Sequence, residues 1–363
     1  MAAEYAAEIL ADPKHKRHGR WIWLAAKRFV KDLKRAKAKR PPFTFDPWHA
    51  NDACDFIERL PHVEGKWDTE NIVLHPSHIF FVVQLFGFRT RDGRRRFTSA
   101  LFNVARKNAK STLAAGILLY CLCCEDEPGA QAISAATTFD QASIIFKVAK
   151  RMAEKNHAMR EYFGLEAFAK SLVRWPTGAS FKPIHAKAST QDGLNPAYTG
   201  LDEIHAHKTN DLLSVLTSAA GARKNVLWLY TTTEGYTNPG PWAGIRQFAR
   251  KILQGVFGPE TDYFLALIYA VDEKDKDFDE RAWWKANPLM DVNPELLAAI
   301  RKHATEAKAI PGEMAEFQIK RLNRPAASAK SWVDLPKWLR CGGKVDLSAL
   351  EGAPCWAGLD LAS

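Results

Sequence analysis

Asp202 and Glu203 give the strongest chemical signal in the chain. They follow the apolar strand-like residues AYTGL in the segment AYTGLDEIHAHK. At the C-terminal end of a parallel strand, where open α/β sheets bind their ligands, such a pair can hold Mg²⁺ and polarise an attacking water. A lone Asp-Glu pair is more often an ordinary strand-end turn. The hydrolytic interpretation gains weight because Lys110, in a second candidate site, lies 92 residues before Asp202.

That second site is NVARKNAKST, in which Lys110 and Ser111 open a helix directly after a β-rich run at 98–104. A strand, a tight loop and a helix that begins with Lys and Ser/Thr form a P-loop. Lys110 would then neutralise the β- and γ-phosphates of ATP, and Ser111 would bind Mg²⁺. Val104 and Ala109 stand where the motif has glycines, so this loop alone is also consistent with a basic turn before a helix.

Three threonines, Thr231 to Thr233, follow the strand-like run NVLWLY. A polar side chain at the tip of a strand could sense the γ-phosphate and pass its loss to moving parts. A threonine run at a strand end is also explained by β-propensity alone. The long spacing between Lys110 and Asp202 leaves room for a strand between the two motif strands, as in P-loop ATPases whose catalytic Glu follows the Mg²⁺-binding Asp.

The elements that must position these residues alternate along the chain. Strands are predicted at 98–104, 131–137, 179–186, 197–204, 225–233 and 262–271, with a helical segment after each except the strand at 179–186. This alternation predicts an α/β fold with a mostly parallel sheet and helices on both faces. After residue 279 the pattern becomes helical. We therefore expect four parts: a basic helical arm and lead-in (1–71), a P-loop ATPase core (72–278), a small helical lid subdomain (279–323), and a linker with a final strand (324–363).

The positive charge is concentrated near the N-terminus. Residues 14–40 hold twelve Lys or Arg and one acid, Asp32, within a chain of 363 residues and net charge +10. A basic arm on a nearly neutral body suggests attachment to nucleic acid or to an acidic partner. The helical spacing of Ile22, Ala26, Phe29 and Leu33 equally allows a helix that docks one face on the core.

Other sequence features exclude several classes of protein. No run of 18 apolar residues occurs, and no apolar segment follows the N-terminal charges, so we expect no membrane span, no secretory signal and a cytoplasmic protein. Cys121 and Cys124 form a C-x-x-C pair in an apolar helical run, but no second pair completes a zinc site. We interpret these cysteines as buried thiols.

Taken in order, ARKNAKST, SAATTFDQA, STQDGLNPAYTGLDEIHAH, TTTEG and GLDLAS resemble the large terminase subunit of tailed bacteriophages. The resemblance runs from about residue 72 to the end. It implies a RecA-like P-loop NTPase of the ASCE class, which uses ATP and Mg²⁺ to pump double-stranded DNA into a procapsid. It also implies an RNase H-like nuclease that uses Mg²⁺ or Mn²⁺. The expected partners are the portal and the small terminase subunit, with a homo-oligomeric ring assembled on the portal in the host cytoplasm.

The resemblance also assigns residues. The phosphate loop comprises Arg106, Lys107, Asn108, Ala109, Lys110, Ser111 and Thr112, with Arg106 also a candidate catalytic residue. Asp202 becomes the Mg²⁺-binding acid, Glu203 the catalytic acid that activates water, and Thr231, Thr232 and Thr233 the coupling motif. The family's adenine-binding segment has an aromatic and a Gln where this chain has Ser77 and His78, which leaves His78 as the candidate adenine contact.

Asp360, in GLDLAS, falls on the first metal-binding carboxylate of the family's nuclease. Two-metal cleavage requires several carboxylates, and the others would lie beyond residue 363. We therefore expect this chain to carry the motor and only the first strand of the nuclease domain.

Two other functions fit part of the sequence. Asp202-Glu203-Ile204-His205 also matches the D-E-x-H box of superfamily-2-type DNA helicases and translocases, but those proteins need a second RecA-like domain. A DNA-binding structural protein with an inactive nucleotide site would explain the basic arm and the degenerate loop. It would leave the acidic pair unexplained, and ATP turnover would eliminate it.

Overall fold

The computed structural model divides the chain into two compact units, residues 1–327 and 328–363. In the first unit it describes residues 1–65, 67–125, 127–185, 194–219, 223, 225–237, 240–310 and 312–326. In the second it describes residues 338, 340–343, 348, 351–352 and 354. Asp360 and the strand predicted around it lie outside the described residues.

An eight-stranded sheet forms the centre of the first unit. Its strands are β3 (Ser99–Asn103), β4 (Gln131–Ala136), β5 (Leu165–Ala167), β6 (Leu172–Arg174), β7 (Ala179–His185), β8 (Pro196–Asp202), β9 (Leu227–Thr232) and β10 (Phe264–Ile268). Their order is β10-β3-β9-β8-β4-β7-β6-β5. Pairing is parallel from β10 to β7 and antiparallel for β6 and β5. A separate two-stranded sheet pairs β1 (Phe43–Phe45) with β2 (Phe88–Thr90).

The predicted α/β class and the six predicted strands are confirmed, the strand at 179–186 as far as residue 185. A strand does separate the loop-bearing strand from the strand that ends at Asp202, but it is β9, which follows Asp202 in the chain. The parallel strands from the interval between Lys110 and Asp202, β4 and β7, lie on the other side of β8. β5 and β6 were not predicted, because three residues each are too few for a periodic pattern.

Helices surround the sheet. They are α1 (Ala2–Leu10), α2 (Arg20–Ala36), α3 (Pro47–Glu58), α4 (Pro76–Gly87), α5 (Lys110–Cys124), α6 (Phe139–Lys155), α7 (His157–Phe163), α8 (Asp211–Ala219), α9 (Pro241–Leu253), α10 (Glu280–Trp283), α11 (Pro294–Ala309) and α12 (Glu313–Leu322). None of the helices that the structure describes is both long and apolar enough to cross a lipid bilayer. Cys121 is a buried thiol on α5, as predicted, whereas Cys124, the other member of the C-x-x-C pair, is only partly buried.

Side chains of the central strands alternate between two apolar layers, because successive residues of a strand point to opposite faces. Ile133 and Leu201 pack with Leu212 and Leu216 of α8 on one face. Ala132 and its neighbours on the other face join the main core together with α5 and α6. Helices therefore cover both faces of the sheet.

The basic helix α2 docks on this core. Ile22, Ala26 and Phe29 are buried, and the buried Asp32 is paired with Arg96 at 2.9 Å. The docking interpretation of this segment is thus correct for one side of the helix. The other side exposes Lys27, Lys31 and Lys34, at the 3–4-residue spacing that places them along one stripe.

Helices α10 to α12 form a second small core that includes Ala105 of the loop after β3, together with Trp283 and Phe317. Two asparagine contacts join these helices to the sheet: Asn287 accepts from Asn108 at 3.1 Å, and Asn323 donates to Asn103 at 3.0 Å. The helical signal predicted after residue 279 is confirmed. The loop before α5 is therefore held between the sheet and these helices.

Candidate active site

The loop between β3 and α5 turns through two left-handed residues. Lys107 has φ 70° and Ala109 has φ 53°, a region that ordinarily favours glycine. Holding an L-residue there costs about 1–2 kcal/mol. Ala109 therefore adopts a left-handed backbone that a glycine would hold without this cost.

The turn and the first residues of α5 present unused hydrogen-bond donors. Within the described part of the chain, the backbone N–H groups of residues 107–112 have no hydrogen-bond acceptor. The first N–H groups of a helix lack partners inside the helix, and they point toward its N-terminus, where the helix dipole is positive. Such a row of donors is suited to an anion.

Lys110 adds a buried positive charge to these donors. Only 7% of the residue is exposed, yet its Nζ has long contacts, 3.4 Å to the Val104 carbonyl and 3.9 Å to Glu203 Oε1. Burial lowers the pKa of Lys110, while Glu203 and Asp202 oppose that shift. A buried ammonium without a close partner is costly, which favours an anionic ligand at this position.

Asp202 lies at the C-terminal end of β8 and is held by two hydroxyl groups. Ser111 Oγ donates to Oδ2 at 3.2 Å, and Thr231 Oγ1 donates to Oδ1 at 2.9 Å. Burial and the neighbouring Glu203 raise the pKa of Asp202. A divalent cation would remove that penalty, and the paired carboxylate and hydroxyl are oxygen ligands of the kind that Mg²⁺ accepts.

Glu203 is turned toward Lys110 by a left-handed backbone, with φ 46°. Its Oε2 accepts from the backbone N–H and the hydroxyl of Thr233, each at 3.2 Å. Burial would raise the pKa of Glu203, but the His205 contact at 3.1 Å and the Lys110 charge outweigh it and lower the pKa to about 2. Glu203 is therefore an ionised carboxylate next to the anion-binding turn.

His205 belongs to this site, although the sequence placed it only in the D-E-x-H box of the helicase alternative and not in the ATPase site. Its Nδ1 lies 3.0 Å from Thr232 Oγ1 and 3.1 Å from Glu203 Oε2, so the imidazole links the acid to the threonines. A Cβ on Gly235 would approach the His205 ring to 3.0 Å. The short spacing from Glu203 to His205 and the glycine after TTTE are the sequence signals that could have identified this contact.

The remaining loop residues face in different directions. Asn108 is buried, and its side chain bonds to Asn287 and to the backbone N–H of Leu289, which leaves its own N–H for a ligand. Arg106 and Lys107 are exposed. The Arg106 N–H donates to the Lys320 carbonyl at 3.0 Å, while its guanidinium has no hydrogen bond to any residue that the structure describes.

His78 lies behind the turn on α4. It is buried, its ring packs edge-on against Phe102, and its Nε2 lies 3.4 Å from the Asn108 carbonyl. Burial lowers its pKa to about 4, so the imidazole is neutral near pH 7. With Ala109, Thr112 and Leu113 it lines a mostly apolar cavity of about 110 Å³, next to the row of free N–H groups.

The structure thus brings Lys110, Ser111, Asp202, Glu203 and the threonines 231–233 together at one edge of the sheet. Free N–H groups and a buried cation fit a polyphosphate, and the Ser111–Asp202 pair fits a divalent cation. These residues can hold a nucleotide phosphate chain with its metal and set an ionised carboxylate beside it.

Comparison with known families matches two regions of the chain. A model described as terminase large subunit, ATPase domain, matches residues 76–250. A second, described as terminase large subunit, endonuclease domain, matches residues 259–363. The first region contains every site residue described above except Asn287, Leu289 and Lys320, which contact the loop from the segment of α10 to α12. The second begins before α10, so it also covers the segment 279–323.

Relatives of known sequence and structure agree with these matches. The chain is 26% identical over 313 residues to the terminase large subunit of Enterobacteria phage HK97, across 85% of this chain and 59% of that protein. It is 32% identical over 174 residues to protein YmfN of Escherichia coli strain K12, across 47% of this chain and 37% of that protein.

The crystal structure of the HK97 bacteriophage large terminase has the same fold, with a TM-score of 0.66 and 23% identity over 81% of this chain and 58% of that one. The chain thus spans less than two thirds of the length of these relatives.

Proposed function

Because the chain belongs to the family of terminase large subunits, we propose that it is the ATP-hydrolysing part of a motor that moves double-stranded viral DNA into a procapsid. Residues 76–250 are the ATPase domain of that family, and residues 259–363 match its endonuclease domain. The observation that carries the proposal is the meeting of Lys110, Ser111, Asp202 and Glu203 at one sheet edge.

Each of these side chains has a distinct task in the proposed reaction. The N–H groups of residues 107–112 and the Lys110 ammonium hold the phosphate chain and neutralise it. Ser111 and Asp202 would bind Mg²⁺, which would neutralise charge on the phosphates of ATP. Glu203 orients the attacking water and accepts its proton.

The coupling role falls to Thr231, Thr232 and Thr233. Thr231 contacts Asp202, and Thr233 contacts Glu203, so a change at either acid is transmitted to the end of β9. Thr232 reaches Glu203 through His205. We propose that these threonines respond to the loss of the γ-phosphate.

Three further assignments complete the proposed nucleotide site. His78, with Thr112, faces the cavity that would take the base, and its neutral imidazole can form a hydrogen bond there. The exposed guanidinium of Arg106 is available to stabilise charge on the γ-phosphate, from its own site or a neighbouring one. Asn108 and Ala109 would contribute their backbone N–H groups to the phosphate site.

The larger assembly is also a proposal. Its partners would be double-stranded DNA, the portal and the small terminase subunit, with several copies in a ring, in the host cytoplasm. Residues 1–71 would form the basic arm and lead-in, 72–278 the ATPase core, 279–323 a lid over the phosphate loop, and 324–363 the linker and first nuclease strand. The endonuclease match begins earlier, at residue 259, so it overlaps the end of this core and the lid. Asp360 would bind one nuclease metal, Mg²⁺ or Mn²⁺.

The test is ATP turnover by the purified chain, with and without linear double-stranded DNA. We expect turnover that depends on Mg²⁺ and rises with DNA, and a Glu203→Gln preparation without turnover controls for contaminating ATPases. A tailed duplex tests the alternative assignment: displacement of one strand would support a helicase. Absence of any turnover would favour a DNA-binding structural protein.

A further inference from the structure

Glu234 follows the three threonines directly and is completely buried, with 0% of the residue exposed. Its Oε2 accepts from Trp242 Nε1 at 2.9 Å and from Arg246 at 2.7 Å, both on α9. A buried carboxylate is costly unless it is paired and hydrogen-bonded. These two contacts therefore fix α9 to the end of the strand that bears the threonines.

The second oxygen of Glu234 is not fully used. Oε1 lies 3.7 Å from the Arg250 guanidinium, and neither Oε1 nor Arg250 Nε has a hydrogen bond in the described part of the chain. Arg250 also stacks on Trp21 of α2, with the guanidinium 4.9 Å from the ring centroid. A small shift of Glu234 would close or open this contact and so change how Arg250 of α9 lies against Trp21 of α2.

The backbone of Glu234 adds a third connection. Its N–H donates to Asn323 Oδ1 at 2.7 Å, and Asn323 donates to Asn103 and to the Tyr269 carbonyl. Asn103 ends β3, immediately before the phosphate loop. Glu234 is thus joined to the nucleotide side of the sheet through both the threonines and this asparagine pair.

The geometry points to Glu234 as the residue that couples the threonine segment 231–233 to α9 and α2, a role beyond the proposed site residues. α2 carries the exposed Lys27, Lys31 and Lys34 on its outer face, a charge pattern suited to DNA phosphates. The chain of contacts runs from Glu203 through Thr233 to Glu234, then through Arg250 and Trp21 to α2. This inference rests on the proposed function, a DNA-translocating ATPase.

A purely structural ion pair offers the matched control. Glu125 follows the last residue of α5, its side chain is 4% exposed, and it pairs with Arg95 at 2.7 Å. Arg95 bonds to the Asn225 and Val226 carbonyls before β9, at the opposite edge of the sheet. Glu125→Gln therefore removes a comparable buried charge far from the threonines.

The experiment compares Glu234→Gln with Glu125→Gln in three assays: basal ATP turnover, turnover with linear double-stranded DNA, and DNA affinity. For Glu234→Gln we expect unchanged basal turnover and DNA affinity, with stimulation by DNA reduced roughly 5-fold or more, the lower end of ordinary coupling effects. For Glu125→Gln we expect normal stimulation. Equal loss in both variants, or normal stimulation in Glu234→Gln, would overturn the inference.

A second variant covers the case in which Glu234→Gln does not fold. Arg250→Gln leaves both hydrogen bonds to Oε2 intact and removes only the link from Oε1 to Trp21, so it should lose stimulation in the same way. If Arg250→Gln retains full stimulation, the path to α2 is wrong. A wild-type chain that hydrolyses ATP but shows no stimulation by DNA would refute the proposed function, and the coupling role with it.

Discussion

Ser111 Oγ lies 3.2 Å from Asp202 Oδ2, although 91 positions separate the two residues. Thr231 binds the other oxygen of the same carboxylate. Asp202 is therefore oriented by one hydroxyl from the phosphate-loop helix and another from the neighbouring strand. Such fixed groups need little rearrangement when a cation and its phosphates bind, which is the source of much electrostatic catalysis.

Lys110→Ala should abolish ATP hydrolysis without loss of stability. In the proposed site the ammonium neutralises the phosphates, but in the free protein it is buried with only long contacts. Turnover measured at saturating ATP, beside a thermal melt, checks both parts. Normal turnover with a wild-type melting temperature would mean that the phosphates bind elsewhere.

Glu203→Gln should retain ATP binding and stop its cleavage. The amide preserves the shape and the contacts to Thr233, but it cannot take a proton from water as a carboxylate does. Binding of a fluorescent nucleotide and a single-turnover hydrolysis assay separate the two steps. Single-turnover cleavage at the wild-type rate would remove Glu203 from the chemistry.

Ala109→Gly should stabilise the protein by about 1 kcal/mol, because glycine relieves the left-handed strain at φ 53°. The matched control is Ala298→Gly at an exposed position of α11, which should lose about 1 kcal/mol as in any helix interior. Urea unfolding of both variants gives the two free energies. Equal destabilisation would show that position 109 does not adopt the left-handed turn.

The loop around Ala109 shows which features the sequence predicts and which it does not. Local patterns predicted the strand at 98–104 and the helix from Lys110, because periodicity and helix-start signals are short-range. The left-handed turn could not be read from them, because alanine carries no such signal. Contacts such as Asn103 to Asn323, 220 residues apart, and the burial of Glu234 depend on tertiary packing and leave no local trace.

Replacing Lys27, Lys31 and Lys34 by Gln should weaken DNA binding and flatten its salt dependence. The slope of log K against log salt becomes shallower by about 0.9 for every DNA phosphate that the protein no longer neutralises. Substitution is a cleaner test than deletion of residues 1–40, because deletion would also remove the buried Ile22 and Phe29 from the core.

The control for this triple variant removes the same charge elsewhere on the surface, by Gln at the exposed positions Lys274, Lys276 and Lys302. Binding measured from low to moderate salt should show the change only in the α2 variant. An identical slope for both variants and the wild type would assign the basic helix to protein contacts instead.

Arg106→Ala should reduce ATP turnover by about 10³–10⁵ if the guanidinium stabilises the transferring phosphoryl group. Its side chain is exposed and unbonded within the described residues, while its N–H is fixed to Lys320. The loop therefore presents the guanidinium to solvent, where its own site or a neighbouring copy could use it.

Mixing experiments separate these two modes of action, because the Arg106→Ala and Glu203→Gln proteins are each expected to be inactive alone. Recovery of turnover on mixing would show that an intact Arg106 on the Glu203→Gln copy completes the site of its neighbour across a ring interface. No recovery, with turnover abolished in Arg106→Ala, would place the arginine in its own site. Undiminished turnover in Arg106→Ala would exclude the arginine from the mechanism. Lys110 would then be the loop side chain that neutralises the phosphates.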